Sequence, residues 1–374
     1  MVILRESVVR VVKFGLFYIL QQPHGKSPVQ VYEDNLEQFR VADEVGFDEI
    51  FLGEHRISEY GTLPNPMVLA AAAARVTKRI RIGTAVIIPA FTHPVRAAEE
   101  IAMVDVLSNG RFHLGVGRGY QSREFAAMGV DQNESMGRFL EATVMIERLL
   151  TEENVTAEGQ YWNLDEITVY PRPVQKQIPI SVAVFKTQQT FDFAVEHGYG
   201  ILAGNPYSVQ AEIEATYKEY MLARRRAGAA ETTEQAWGLA STFVDTDQAR
   251  AEQLLRQTSL NYMAQLGQHG SVMGKDGVIP KSYELHADTW WKSNVNHPLD
   301  VLDVPSTLVG HPDKVIEKLY RMYDEFGFQN VILSINMGGD IEQRDVLRTY
   351  ELIADKVIPA VRHLGTEVPS SVSA

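Results

Sequence analysis

The chain has no cysteine among its 374 residues. That excludes disulfides, thiolate catalysis and Cys-based metal centres. Its ten histidines include no H-x-x-x-H pair and no flanking carboxylate cluster, so no metal is expected. Basic residues are outnumbered, 35 against 48, for a net charge of −13. This argues against general nucleic-acid or anionic-membrane binding but leaves room for a local basic pocket around a phosphate. No uninterrupted apolar run is long enough to span a bilayer. The opening "MVILRESVVRVVKFGLFYIL" is broken by Arg5, Glu6, Arg10 and Lys13, and no small-residue cleavage site follows. Residues 1–10 therefore read as an extension before a first strand, not a signal peptide, and the cytoplasm is the default location. No low-complexity linker or short-period repeat divides the chain. What is present, 45% hydrophobic and 22% charged residues, fits a globular protein with a large core.

Short β-rich apolar runs alternate with helical patterns. "VVKFGLF", "FDEIFLGEH", "RIRIGTAVI" and "RFHLGVG" read as strands, each followed by a stretch with helical spacing of apolar residues. Asn65-Pro66 and His93-Pro94 are helix-opening signals. "VTAEGQYWNLDEITVYPRPVQKQ" then reads as a hairpin and a proline-rich connection. The alternation resumes with "PISVAV", "GILAG", "QAWGLASTFV" and "QNVILSIN". Eight strands with intervening helices and no domain break predict a single closed (β/α)8 barrel over residues 1–374. Inserts fall after the fourth helix and before the eighth strand, the second being residues 268–305 with Trp290 and Trp291.

Barrel enzymes carry their chemistry at the C-terminal strand ends. "LGEHRISEYG" is such an end, with Glu54 and His55. A neutral imidazole there can take or give a proton; the plainer alternative is a strand-end histidine bonded to Glu54 or solvent. His24 reads as a turn residue, His93 as a helix opener, and His113, inside a strand, as packed. "GVGRG" (Gly115 to Gly119) fails the dinucleotide pattern, since Tyr120 stands where the third glycine would be. Glycines at a strand end instead permit close approach of a flat or phosphorylated ligand, with Arg118 a candidate phosphate clamp or an exposed turn residue. "FKTQQT" opens a helix. Lys186, two threonine hydroxyls and free backbone N–H groups would suit a phosphate; an ordinary threonine cap is the alternative. The run Ala70 to Ala74 permits close helix packing, on the barrel or on a second subunit.

Taken in order, "FGLF", "GFDEIFLGEHRISEYG", "NPMVLAAAAA", "IRIGTAVIIPAFTHPVRAAEE", "VDVLSNGRFHLGVGRGY" and "VEHGYGILAG" resemble the bacterial luciferase-like flavin monooxygenase family, in its α-chain branch. The resemblance is dense from Val12 to Arg138 and traceable to Gly338. It implies a barrel that binds reduced FMN, supplied by a separate NAD(P)H:flavin reductase. Oxygen would then form a C4a-hydroperoxide that oxygenates a small organic substrate. It matches His55 to the active-site histidine and Glu54 to a nearby carboxylate. Ala85 and Val86 match a non-prolyl cis peptide under the flavin ring. Gly117 and Arg118 fall in the cofactor loop, with Arg118, Thr187 and Thr190 as phosphate ligands and Lys186 beside them. Tyr120 falls beside the ring and Glu124 near its polar edge. Residues 268–305 match a mobile lid, and the second and third helices a homodimer contact.

The chain also departs from that branch. Arg56 replaces a second histidine, Gly117 a reactive cysteine and Lys186 a glutamate. The first two count against light emission and an aldehyde substrate. Two alternatives accompany the resemblance: an F420-dependent oxidoreductase of the same fold, and a non-catalytic flavin-binding subunit.

Overall fold

The computed structural model describes residues 12–23, 25–204, 210–230, 232, 234–269, 272–273, 278–280, 283, 300–326 and 330–366. The expectations for residues 1–10, His24, Trp290, Trp291 and most of 268–305 lie outside the described residues.

The strands are β1 (Lys13–Tyr18), β2 (Glu49–Leu52), β3 (Arg81–Thr84), β4 (Phe112–Val116), β5 (Val155–Glu158), β6 (Asn163–Ile167), β7 (Ile180–Val184), β8 (Gly200–Ala203), β9 (Ala236–Val244), β10 (Leu308–Gly310) and β11 (Asn330–Ser334). The main helices are α1 (Pro28–Val45), α2 (Pro66–Val76), α3 (Pro94–Ser108), α4 (Ser122–Met128), α5 (Ser135–Thr151), α6 (Gln188–Glu196), α7 (Gln210–Arg226), α8 (Gln248–His269), α9 (Pro312–Phe326) and α10 (Gln343–Leu352). Strands β1, β2, β3, β4, β7, β8, β9 and β11 pair in parallel in that order, and β11 pairs back to β1. The result is the closed (β/α)8 barrel that the alternation predicts. β5 and β6 form the expected antiparallel hairpin. β10 and the short α4 were not legible in the sequence pattern; β10 adds to the C-terminal half of the long β9.

Local chemistry starts the early helices. Ser27 Oγ accepts from Gln30 N at the start of α1. Asn65 Oδ1 accepts from Met67 N (2.9 Å) at α2, and His93 Nδ1 from Val95 N (3.3 Å) at α3, each with a proline at the first helical position. The barrel strands are buried on both faces, as parallel strands under helices must be; every residue of β2 and β8 is buried.

Inward-facing residues alternate along the strands and build layers. The lower layer is polar: His113 Nδ1 meets Glu49 Oε1 (2.6 Å), and His113 Nε2 meets Ser181 Oγ (2.9 Å), all buried. His113 is thus a packed core histidine. The next layer packs Phe51, Leu202, Trp237 and Ile332. Gly15 and Gly83 make room for it, since a Cβ at either would lie within 3 Å of the Phe51 ring. Above this layer the side chains become small at Gly53, Ala85, Gly117 and Ala183, and the barrel opens.

Candidate active site

That opening is a cavity of ≈ 330 Å³ at the C-terminal strand ends. Its floor and walls include Phe17, Ile19, Ala85, Val86, Ala183, Leu202 and Leu239, so most of its surface is apolar. The Ala85–Val86 peptide bond is cis. Gly53 and Gly117 keep the floor low. A Cβ on Gly53 would sit 2.9 Å from Ile19 Cγ2, and one on Gly117 2.5 Å from Val86 Cγ2.

His55 stands at one side, where the β2 end turns polar. Its Nδ1 lies 3.2 Å from Glu124 Oε1 and 3.2 Å from Gln121 Nε2. Glu124 Oε1 also accepts from the Arg56 backbone N–H (3.0 Å). This carboxylate is almost wholly buried behind the imidazole, and its other oxygen, Oε2, has no hydrogen-bond partner. The loop after His55 bends sharply through Ile57, whose φ of 56° is strained for a β-branched residue. That turn folds Tyr60 back edge-on to the His55 ring, with centroids 4.8 Å apart. Gly61 permits the close pass, since a Cβ there would lie 2.4 Å from His55 Cβ.

Glu54 lines the cavity, but both its oxygens are engaged. Oε1 pairs with the Arg56 guanidinium, and Oε2 accepts from Ile88 N (2.9 Å). Arg56 is held in turn by Pro64 O and the Phe91 ring. Burial pushes its pKa down, and nearby Glu124 opposes that shift. The charged pair therefore ties the β2 end to the segment after β3.

The other side is cationic. Arg118 follows β4 and lies over the Tyr283 ring, 3.8 Å from its centroid. Burial depresses its pKa, with Tyr283 opposing. Tyr283 donates to Gly119 O (2.7 Å), which fixes the ring against this loop. Thr187 and Thr190 come from the start of α6, after β7, the strand that pairs with β4. Thr187 occupies the cap position without making a side-chain cap bond, so ordinary capping does not account for it. Arg118, Thr187 and Thr190 all line the cavity. Lys186 does not. Its ammonium pairs with Glu212 of α7 at 2.8 Å and lies over Phe185. Lys186, expected beside the phosphate ligands, is thus held by a carboxylate outside the cavity lining.

The residues suit a flat apolar ring with an anionic tail. The ring would lie on the Ala85–Val86 floor beside Gly117. The tail would meet one cation, two hydroxyls and a helix N-terminus. Among the described residues no group of three or more His, Asp or Glu could hold a metal.

The luciferase-like monooxygenase family profile matches residues 12–330. The chain belongs to this family. It is 27% identical to the alkanal monooxygenase alpha chain of Photorhabdus luminescens over 94% of this chain and 97% of that one. It is 25% identical to the oxygenase component of the flavin-dependent trigonelline monooxygenase of Acinetobacter baylyi, over 93% and 95%. Among solved structures, monooxygenase RslO1 from Streptomyces bottropensis superposes with a TM-score of 0.79 at 28% identity, covering 93% of this chain and 99% of that chain.

Within this luciferase-like site, ten of the residues singled out in the sequence are brought together around the cavity or directly behind it. Lys186 stands apart. Gln121, Tyr60 and Tyr262 were not anticipated. Tyr60 lies inside the quoted "EHRISEYG", five residues after His55, but its direction depends on the turn at Ile57. Tyr262 arrives on α8, and its OH meets Tyr60 OH at 2.9 Å. No local signal marks it.

Proposed function

We propose that this chain is the oxygenase component of a two-component system. It would take reduced FMN from a separate NAD(P)H:flavin reductase and use O2 to oxygenate a small organic substrate. The observation that carries this reading is one cavity with an apolar floor, Arg118, Thr187 and Thr190 on one side and His55 backed by Glu124 on the other. Reduced FMN, when bound, supplies the electrons that activate oxygen.

The protein's part follows from its residues. Arg118, Thr187, Thr190 and the α6 N-terminus hold the phosphate. Ala85, Val86, Gly117 and Tyr120 would hold the ring. His55 Nδ1 is turned to Glu124 and Gln121, which leaves Nε2 as the nitrogen free to hold or return a proton. Glu124 positions His55, and Glu54 positions the segment after β3 rather than touching the reacting atoms. The apolar walls exclude water. Val272, whose carbonyl accepts from Ser122 Oγ (2.5 Å), also lines the cavity.

Lys186, which could have met the charged tail of an F420-type cofactor, is engaged by Glu212, and this weighs against the F420 alternative. Retention of His55 and Arg118 weighs against a silent subunit. A homodimer through α2 and α3 is supported by exposed Val68 and Val76 on the former and Met103, Val106 and Leu107 on the latter.

The test is rapid mixing. FMN is reduced without oxygen, bound to the protein, and mixed with aerated buffer while absorbance is followed. A long-lived spectrum distinct from oxidised FMN is expected. Immediate return of oxidised FMN, as in free solution, would sink the monooxygenase reading.

A further inference from the structure

Beside His55, the cavity wall carries three tyrosine hydroxyls linked through Tyr60. Tyr60 OH meets Tyr262 OH at 2.9 Å and Tyr120 OH at 3.3 Å. Gln121 Nε2 donates to Tyr120 OH (3.3 Å) and also reaches His55 Nδ1. All three tyrosines line the cavity, and Tyr60 and Tyr262 are buried. These hydroxyls satisfy one another, and each oxygen keeps acceptor capacity with which to meet a polar group of a ligand. Either oxygen of each tyrosine pair can act as donor, so the cluster can both give and accept a hydrogen bond. A carbonyl would use only the first capacity; a hydroxyl uses both.

Charge narrows the choice further. Among the described lining residues the charged side chains are Glu54 and Arg118. Glu54 is already paired with Arg56, and Arg118 belongs to the phosphate side. No lysine is present for a substrate carboxylate. The Tyr60 and Tyr120 rings each stand edge-on to the His55 ring, so this wall offers aromatic surface beside the hydroxyls.

We propose that Tyr60, Tyr120 and Tyr262 form the recognition site for an uncharged phenolic hydroxyl on an otherwise apolar aromatic substrate. This rests on the flavin monooxygenase reading, which makes the cavity a substrate site. Tyr60 and Tyr262 are specificity residues, set one helix and one loop away from the proposed cofactor grip. Burial raises the pKa values of Tyr60 and Tyr120, so these two hydroxyls stay protonated through neutral pH.

The test uses 2-naphthol, naphthalene and 2-naphthoate as probes, titrated calorimetrically into the FMN-loaded protein. The same samples give FMN affinity by fluorescence quenching. The hydroxyl should favour 2-naphthol over naphthalene by about tenfold, the worth of roughly one neutral hydrogen bond. Naphthoate should bind most weakly. The double variant Tyr60→Phe/Tyr262→Phe should bring naphthol to within about twofold of naphthalene, by the same reasoning, while FMN affinity holds. Equal binding of naphthol and naphthalene, no naphthol binding, tighter naphthoate, or discrimination that survives in the double variant would each overturn the proposal. Failure of the unmodified protein to bind FMN, with naphthol still preferred over naphthalene, would strike the flavin reading instead.

Discussion

Replacing Arg118 by alanine gives a sharp test of the anion grip. The guanidinium is the one cation on the described cavity lining, and burial already depresses its pKa. It therefore has a reduced hydration shell to lose when an anion arrives, and it is held on the Tyr283 face, 3.8 Å from the centroid. A charge-assisted contact of this kind contributes about 1.5–3 kcal/mol, so FMN affinity should fall roughly 10–150-fold. Riboflavin has the same ring and no phosphate. Its affinity should change by less than about threefold, because the apolar floor that holds the ring is untouched. The assay is fluorescence quenching of each ligand by wild-type and Arg118→Ala protein, with melting temperature as a control for folding. The decisive quantity is the ratio of the two losses. Equal losses for FMN and riboflavin would mean that Arg118 acts on the ring or on the fold. No loss for FMN would place the phosphate elsewhere.

Further predictions concern packing, pH and assembly. Gly117→Ala should destabilise the protein by about 1–3 kcal/mol, because the new Cβ falls 2.5 Å from a methyl of a stiff valine. Val86→Ala should relieve most of that loss, and additive melting shifts in the double variant would refute the contact. Lys318, with Nζ 3.4 Å from Val304 O, has its pKa depressed to about 8, chiefly by burial. A depressed lysine stabilises the fold fully above its unfolded pKa and progressively less as pH falls through the folded one. Lys318→Met should therefore raise the melting temperature most at or below pH 8, with the gain shrinking towards pH 10.5. A gain independent of pH would show that the lysine is not the titrating group. Met103→Glu, at a side chain 52% exposed on α3, should convert a dimer to monomers in sedimentation velocity, while an unchanged mass would remove α2 and α3 as the contact.

Several features of the site were open to reading before any coordinates, and for local reasons. Arg118 and Gly117 follow an apolar run within a few residues, so a strand end could be recognised there. Thr187 and Thr190 flank a helix start. The opposite outcome for Lys186 has an equally plain cause. Its sequence neighbours suggested a positive phosphate pocket, but Glu212 lies a helix away in the chain and next to it in space. Glu54 shows the same effect. It was legible as a carboxylate beside His55, but its engagement by Arg56 and Ile88 N depends on how the β2 end meets the segment after β3.

By itself, the sequence determined the alternation of strand and helix, and with it the barrel. Periodicity, prolines at helix starts and doubly buried strands are local consequences of side-chain chemistry. It also determined the exclusions: with no cysteine there is no thiol chemistry at Gly117 or anywhere else. The tertiary structure alone decided which groups share a hydrogen bond. Glu124 is 69 residues from His55, and Tyr262 is 202 from Tyr60, yet each pair is joined at 3.2 Å or less. Hydrogen bonds act over a few ångströms, and closing the barrel brings distant segments within that range. Nothing in the spacing of the chain encodes a contact that exists only once all eight strands have closed.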